Sequence, residues 1–579
     1  MGYQIIASLS YKDIFDDYES VIVANLIADI PTPNSLEVIG YFLAQFHTPE
    51  KDNLKQLSFL NMWIKRLPVS IHPRIREYIH STLAEPNANY NLINNISGLR
   101  FIELILEHSN NLAPLATLTP DHELKLFKAY LYCTQQWLEK ERPSFNIPKI
   151  ETEEDLIRLL LPTQLPFEEI QKSRDFSLQF IKAIYFFKFC ELDPQFKIYL
   201  EIFLDEYKLI SWNKYLVNIL GIYIANFDKQ KATSILNISD SFPDVINFLE
   251  DLSLDLNTYK KSIDFLSLRE KPVFRLNKND FLFLNLNFFV DKIYQAIQFD
   301  FARILFKNSA TYKDKRIKST ADFMSIFGNV FSESGLFYSI MDYAFEKSGY
   351  KTVTGESIKK IIKEGEPDYY IRDKGKIYIF EFKNIYISGG IKHSIDYTQI
   401  KDEIFKKLVA NQNNSDKGVT QLVNTIENIR AGQFEEVDSC DFESAIIYPI
   451  IVYVDFSFNL SGINFILNQE FRKQATQRNL KNSLNIKDLV LVDIDSFVKF
   501  QDLFRNKTLK LNNCLNEYFK CLRNTRDRFD RICSFHMFIH NKTRQMKHDE
   551  PKMLYEEVIK LLDAEQEATA NMRLAKVGH

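Results

Sequence analysis

Apolar residues recur at helical spacing through most of the first 250 positions, and the stretches 54–64, 101–106 and 124–138 show it most clearly. Residues 1–142 are therefore expected to form a helical domain, with Asp121 as N-cap of the third helix. The stretch 141–149, with Pro143 and Pro148 and no period, reads as a linker. A second helical block follows within a domain expected at 153–300. It includes the aromatic run 180–190, whose stripe reads as core, with Cys190 a small buried hydrophobe. The helical pattern breaks at 272–286, where two short apolar runs flank Asn277-Lys278-Asn279-Asp280 as in a β-hairpin. A helix at 290–306 is expected next.

The second half changes character. Of the 16 glycines, four precede residue 300 and twelve lie from Gly328 onward, so turns needing φ > 0 concentrate late in the chain. Asp322 can cap a helix running through Phe323, Phe327, Phe331, Phe337 and Phe345. A strand is expected at 349–355. Two alternating runs, 368–371 and 376–384, are joined by Arg372-Asp373-Lys374-Gly375, a tight turn with Gly375 free to take φ > 0. Gly389-Gly390 should end that second strand. A helix at 400–408 lies in an insertion, and another starts at Lys417. The continuous apolar run 445–454 fits a strand buried on both faces, and 489–494 is one more short strand. The fold class is thus multidomain: a mostly α N-terminal half, then an α/β core with a mixed sheet at 301–498, then a helical C-terminal segment at 499–579.

Two charged residues stand out against this pattern. Glu381 and Lys383 share one face of a strand otherwise built from Ile, Tyr and Phe, with Phe380 and Phe382 on the other face. Burying unpaired charge costs several kcal/mol, roughly 3–5 when one partner of a pair is missing, so such residues need a purpose. Asp368 opens the neighbouring strand. Two carboxylates converging from adjacent strands make a hard oxygen site for Mg²⁺ or Mn²⁺, and a lysine beside them can oppose charge developing on a phosphate. An exposed Glu–Lys pair on a hairpin is the bland alternative.

Here the chain resembles the PD-(D/E)XK nuclease superfamily, the restriction-endonuclease-like fold. Pro367-Asp368 corresponds to the PD element and Glu381-Phe382-Lys383 to the ExK element. The predicted order of helix, three strands, helix, strand corresponds to the αβββαβ core, over about residues 320–455. The resemblance implies metal-dependent phosphodiester hydrolysis, usually in DNA. It implies Asp368 and Glu381 as metal ligands, Lys383 as catalytic lysine, and the backbone carbonyl of Phe382 as a further ligand. An acidic residue on the preceding helix often faces the metal; Glu333 is the candidate and Glu346 its competitor. A glutamine on the following helix often approaches the scissile phosphate, which points to Gln421, with Lys417 nearby.

Charge and composition narrow the partners. Net charge is −4, so attraction to a polyanion must come from local patches. One lies at 307–318, where Lys307, Lys313, Lys315, Arg316 and Lys318 face one acid. We expect Lys313, Lys315, Arg316, Lys318 and Lys417 to contact nucleic acid. A second lies at 499–547, for which nucleic acid, an acidic partner and a salt-bridged helical surface all remain open. Cys533, His536 and His540 have helical spacing, but no second cysteine pair supports zinc there. Six cysteines without paired spacing suit a reducing cytosol, and neither a leader nor a membrane span is expected. The expected activity is that of a cytoplasmic DNA endonuclease with a helical regulatory half. By analogy of architecture it would be a restriction or anti-phage defence effector, acting as a homo-oligomer or with a defence-system partner protein. An RNase or repair nuclease, and a non-catalytic nucleic-acid-binding scaffold, are the alternatives.

Overall fold

A computed structural model describes residues 5–577 apart from 46–52, 84–87, 91, 110, 142–148, 172–173, 227–233, 363, 412, 414, 481–483, 525, 545 and 547–548. Most of the expected linker at 141–149 lies outside the described residues. The chain is mixed α/β. Among the described residues no helix is long and apolar enough to cross a membrane.

The N-terminal region is built from the helices Thr32–Gln45, Asn53–Ile64, His72–Leu83, Asn95–Glu107 and Pro120–Glu141. Their apolar faces meet around Trp63, which is fully buried, stacks on Phe42 at 4.6 Å and meets Phe127 edge-on at 5.1 Å. The Pro120–Glu141 helix starts earlier than its apolar pattern suggests. Thr119 Oγ1 accepts from His122 N at 3.2 Å, so Thr119 serves there and Asp121 lies in the first turn. The hairpin expected at 272–286 is present as Val273–Arg275 and Asp280–Phe283. A third strand that the pattern did not suggest, Ile235–Asn237, lies at its edge. Phe274 and Leu282 of this small sheet, and Leu284 just after it, enter the N-terminal core. The helix expected at 290–306 is two, Leu286–Asp291 and Gln295–Lys307. Between them lies Lys292, whose ammonium is buried against Asp300 at 2.7 Å.

The large sheet contains β1 (Lys351–Thr354), β2 (Tyr369–Asp373), β3 (Lys376–Lys383), β4 (Ile446–Tyr453), β5 (Asn485–Ile486) and β6 (Val490–Asp493). The order is β5-β4-β3-β2-β1, with β6 pairing β4 beyond β5. β2 lies between β1 and β3 and is antiparallel to both. β4 is parallel to β3, and the connection between them contains the helices Tyr397–Leu408 and Gly418–Arg430. The order helix, three strands, helix, strand expected from the pattern is therefore present. The β2–β3 turn is the two-residue Lys374-Gly375, but the left-handed residue is Lys374, at φ 56°, and not Gly375. Gly389-Gly390 does not end β3, which stops at Lys383; the two glycines begin a short helix, Gly389–Lys392.

Both faces of the sheet are covered, which is why β3 and β4 are nearly continuous apolar runs. Tyr378, Phe380 and Phe382 face one core, with Phe323, Phe327 and Phe331 of the preceding helical segment and Phe186 of the Phe176–Leu192 helix. Ile377, Ile379 and Ile451 face the other, with Leu422 and Ile426 and with Ile157 and Leu161 of the Glu153–Gln171 helix. The first of these cores includes Ala44 and runs on to Leu561, taking residues from each of the units expected at 153–300, 301–498 and 499–579. A helical apolar stripe reports that one face is buried, not which segment buries it.

Several cations of the basic C-terminal stretch are engaged within the molecule. Lys499 pairs with Asp175 at 2.9 Å, Arg531 with Glu153 at 2.8 Å and Lys542 with Glu517 at 2.6 Å. Cys533 follows the short Arg528–Ile532 helix, off the Phe535–Thr543 helix that carries His536 and His540, so the three do not share a helical face.

Candidate active site

Asp368 stands one residue before β2. Its N–H donates to Phe380 O at 2.9 Å, and its Oδ2 accepts from Phe382 N at 2.6 Å. The carboxylate is thus fixed by the backbone of β3, whose ladder with β2 ends at Tyr369–Phe380. The loop leading into Asp368 is equally constrained. Gly365 has φ +78°, which favours glycine, and a Cβ there would fall 2.5 Å from Asn428 Nδ2 and displace that side chain. Gly355 packs so tightly on this segment that a Cβ would lie 2.8 Å from Pro367 O.

Glu381 is 1% exposed. Lys383 Nζ lies 2.5 Å from Glu381 Oε1 and 3.9 Å from Asp368 Oδ2. Among the described residues Glu381 Oε2 finds no hydrogen-bond donor. A buried carboxylate oxygen without a donor is costly. Burial, joined by the Asp368 charge, pushes the Glu381 carboxyl up to about 8, against the pull of Lys383. Burial also raises Asp368, against Lys383 and the Phe382 N–H. The Lys383 ammonium is held above its ordinary value: Glu381 and Asp368 together outweigh the desolvation that would lower it.

Glu333 enters from the helical segment before the sheet. That segment begins as an α-helix, Thr320–Phe327, and ends as one, Tyr338–Phe345; between them Gly328–Phe337 is a π-helix. π-Helical turns are rare and concentrate at functional positions. The N-cap is Ser319, whose Oγ accepts from Asp322 N at 3.1 Å, and Asp322 caps Lys318 N in return at 3.1 Å. The expected cap at Asp322 is thus displaced by one turn. Phe337 stacks on Phe382 at 4.8 Å, tying the π-helix to β3. Tyr338 OH donates to Glu333 Oε1 at 2.6 Å. Burial and the Asp368 charge raise the Glu333 carboxyl to about 7. Glu333 therefore belongs electrostatically to the Asp368–Glu381–Lys383 group. Glu346 is exposed beyond the last turn, and its charge reaches Asp342 and Tyr369 instead.

The Gly418–Arg430 helix flanks this group. Thr425 Oγ1 donates to Gly365 O at 3.1 Å and Asn428 Nδ2 to Glu364 O at 2.8 Å, so one helix face holds the loop before Asp368. Gln421, one turn before Thr425 on that face, has a buried Oε1 without a hydrogen bond. Lys417 caps the helix N-terminus through its backbone, and Lys417 N donates to Val409 O at 2.9 Å.

The basic loop at 307–318 forms a hairpin, Thr311–Tyr312 with Lys315–Arg316, turned at Lys313 and Asp314 with φ 46° and 65°. Lys313, Lys315, Arg316 and Lys318 are exposed. The hairpin docks on the helical half: Tyr312 stacks on Phe196 at 4.9 Å, and Lys313 N donates to Gln195 Oε1 at 2.9 Å. Lys318 precedes Glu333 by fifteen residues of mostly helical chain, roughly 20 Å, so these cations stand apart from the carboxylates.

Sequence reasoning missed three groups here. Lys359 pairs with Glu366 at 3.2 Å, and its charge acts on Asp368. Tyr338 holds Glu333. Asn384, next to Lys383, has both amide atoms buried and, among the described residues, without a hydrogen-bond partner. The Lys359-Lys360 doublet was the available signal for the first; Tyr338 and Asn384 carry none until the π-helix and the end of β3 are seen. Among the described residues no group of three or more His, Cys, Asp or Glu side chains is arranged to hold a metal ion. No family model matches the chain, and no curated protein or solved structure matches it.

Proposed function

We propose that this protein is a PD-(D/E)XK-type endonuclease that hydrolyses DNA phosphodiesters with a divalent metal, and that its helical half regulates or targets the cut. The observation that carries the reading is Glu381: a carboxylate buried in the central strand, with one oxygen on Lys383, the other without a donor, and Asp368 beside it. A structural ion pair needs neither the unbonded oxygen nor the second carboxylate.

The donor set suits Mg²⁺ or Mn²⁺ in its chemistry, though among the described residues no three of its carboxylates are arranged to hold one. Its oxygens are hard, and three carboxyl groups are pushed towards protonation by burial, with the Asp368 charge adding to the rise at Glu333 and Glu381, a penalty that a dication relieves. Asp368 and Glu381 would hold the ion, joined by the Phe382 carbonyl and Glu333, with Lys383 withdrawing from its present place between the two carboxylates. A bound ion supplies Lewis acidity and a more acidic water. The chain's own residues do the rest. Phe382 N–H orients Asp368, Tyr338 orients Glu333, and Lys383 brings a fixed positive charge to the phosphate as its negative charge grows. Water adds to phosphorus, one P–O ester bond breaks, and a phosphate monoester and a hydroxyl leave. Lys313, Lys315, Arg316, Lys318 and Lys417 are the proposed phosphate contacts. A restriction or anti-phage defence role, with a homo-oligomeric or heterologous partner, is proposed on architecture alone.

The test is incubation of the purified protein with plasmid DNA, linear DNA and RNA, with and without Mg²⁺. Metal-dependent DNA cleavage lost in Asp368→Asn is expected. RNA as the only substrate cut would replace DNA by RNA in this reading. Metal-dependent binding of nucleic acid without cleavage would replace the enzyme by a scaffold.

A further inference from the structure

The N-terminal half contains a cavity of about 730 Å³ whose lining includes Glu37, Tyr41, Lys65, Arg66, Thr117 and Glu123. Its walls are the Thr32–Gln45 helix, the chain just after the Asn53–Ile64 helix and the loop leading into Pro120–Glu141. That loop is tied down by one side chain: Asn34 Nδ2 donates to Leu115 O at 3.2 Å, and Asn34 Oδ1 accepts from Leu115 N at 2.8 Å.

Glu123 is the buried end of the cavity, at 5% exposure. Trp63 Nε1 donates to its Oε2 at 3.2 Å, and Arg66 reaches its Oε1 at 3.4 Å. These contacts do not offset burial, which leaves the carboxyl above its ordinary pKa. Arg66 is half exposed and spends one of its five donors on Glu123. Lys65 beside it is exposed, and among the described residues it enters no ion pair. Two adjacent cations, Lys65 and Arg66, thus share the cavity with the buried Glu123, an exposed Glu37 and a Tyr41 that is 37% exposed.

We propose that this cavity binds a phosphorylated nucleoside, its phosphate on Lys65 and Arg66, its base against Tyr41 and its ribose hydroxyls donating to Glu123. Each group has the chemistry for its part. Arginine and lysine recognise phosphate, a tyrosine face stacks a base, and a carboxylate accepts from ribose hydroxyls. The volume lies inside the roughly 300–1,000 Å³ of small-molecule sites. The buried carboxylate repels a second anion, so the phosphate stays at the two cations and the uncharged sugar faces Glu123. Inorganic phosphate alone would leave Tyr41 and Glu123 unused. The lining lies wholly outside 320–455, so this inference does not rest on the nuclease reading.

The test is calorimetric titration of the full chain with the four ribonucleoside triphosphates, their monophosphates, the free nucleosides and inorganic phosphate. Trp63, bonded to Glu123, gives a second readout by fluorescence. At least one nucleotide is expected to bind with a dissociation constant of about 0.1 mM or below, and its nucleoside about tenfold more weakly. Lys65→Ala should weaken the nucleotide about tenfold and leave the nucleoside unchanged, whereas Tyr41→Ala should weaken both. Both positions are exposed, and unchanged melting of the ligand-free variants verifies the fold. Absence of nucleotide binding at about 1 mM, inorganic phosphate binding as tightly as the nucleotide, or wild-type affinity in both variants would each overturn the proposal.

Discussion

Lys383 and Glu381, two residues apart on one strand, are joined by a 2.5 Å contact inside the protein, and Glu381 keeps its second oxygen unbonded. The same lysine lies 3.9 Å from Asp368. One cation is thus shared by the buried Glu381 and the half-buried Asp368, a crowding of carboxyl groups that a dication would relieve.

The first prediction concerns the carboxylates. Asp368→Asn and Glu381→Gln should each abolish metal-dependent cleavage. Burial and the Asp368 charge raise the Glu381 carboxyl against the pull of Lys383, so an uncharged amide of the same shape is tolerated there, and Glu381→Gln should melt within a few degrees of wild type. Cleavage assays and thermal melts check this together. Wild-type cutting in either variant removes that residue from the site.

Lys383→Ala should slow cleavage by about 10²-fold, the typical effect of losing one preorganised charge at a reacting centre. Mn²⁺ affinity should persist, because the lysine opposes a cation there. Calorimetry in which Mn²⁺ binding disappears along with Lys383 would assign it a structural role.

Glu333 and Glu346 separate by position. Glu333→Gln should reduce the cleavage rate and weaken Mn²⁺ binding, whereas Glu346→Gln should change neither. Tyr338→Phe removes the 2.6 Å bond to Glu333 and should reproduce part of the Glu333 defect. Equal effects at 333 and 346 would mean that the π-helix does not present the metal-facing acid.

These contrasts show what the sequence carries. The β2–β3 hairpin is legible because period-2 alternation and a two-residue turn are local properties, and Asp368, Glu381 and Lys383 inherit their placement from it. The π-helix is not legible: the phenylalanines of 323–345 satisfy an ordinary helical stripe, and only Gly328 and Gly335 interrupt it. Nor is the neutralisation of the C-terminal cations, since Asp175 and Glu153 lie more than 300 positions away from Lys499 and Arg531. Periodicity describes a face; pairing between distant faces is decided by packing.

Asp438 gives the pH prediction. Fully buried in its side chain, it accepts from Arg372 Nε at 2.5 Å, Tyr370 OH at 2.9 Å and Lys351 Nζ at 3.0 Å, clamping β1 and β2. Burial alone would raise its carboxyl, but these three donors hold it below the ordinary 3.8. The unfolded chain therefore binds this proton more readily than the native one. The stabilisation is fully present above the unfolded value of about 3.8 and is lost as pH falls through the folded one. Urea unfolding between pH 2 and 6 should show wild type losing stability towards acid more steeply than Asp438→Asn, roughly pH 2–4 being the informative range. Parallel curves would exclude Asp438 as a contributor.

The last prediction concerns how nucleic acid is gripped. The chain is net −4, so a polyanion must be held by local cations. The hairpin cations Lys313, Lys315, Arg316 and Lys318 are exposed and lie on an element fixed by Tyr312 against Phe196, so their positions are set before any substrate arrives. Neutralising all four should remove up to four phosphate contacts, and the slope of log K against log salt should shrink by roughly 0.9 for each contact on duplex DNA. Cleavage at low salt should fall through weaker binding with an unchanged rate at saturation, because none of the four reaches the carboxylates. Arg523 and Arg526 are the control: both are exposed in the basic C-terminal stretch, whereas Arg528 donates to Ile150 O at 2.7 Å and Arg531 pairs with Glu153, so altering those two would disturb packing. A reduced slope in the hairpin set and an unchanged one in the control places the DNA path beside the Thr320–Phe327 helix. An unchanged slope in the hairpin set with a reduced one in the control moves the path to the C-terminal helices, and the hairpin is then a solvated loop.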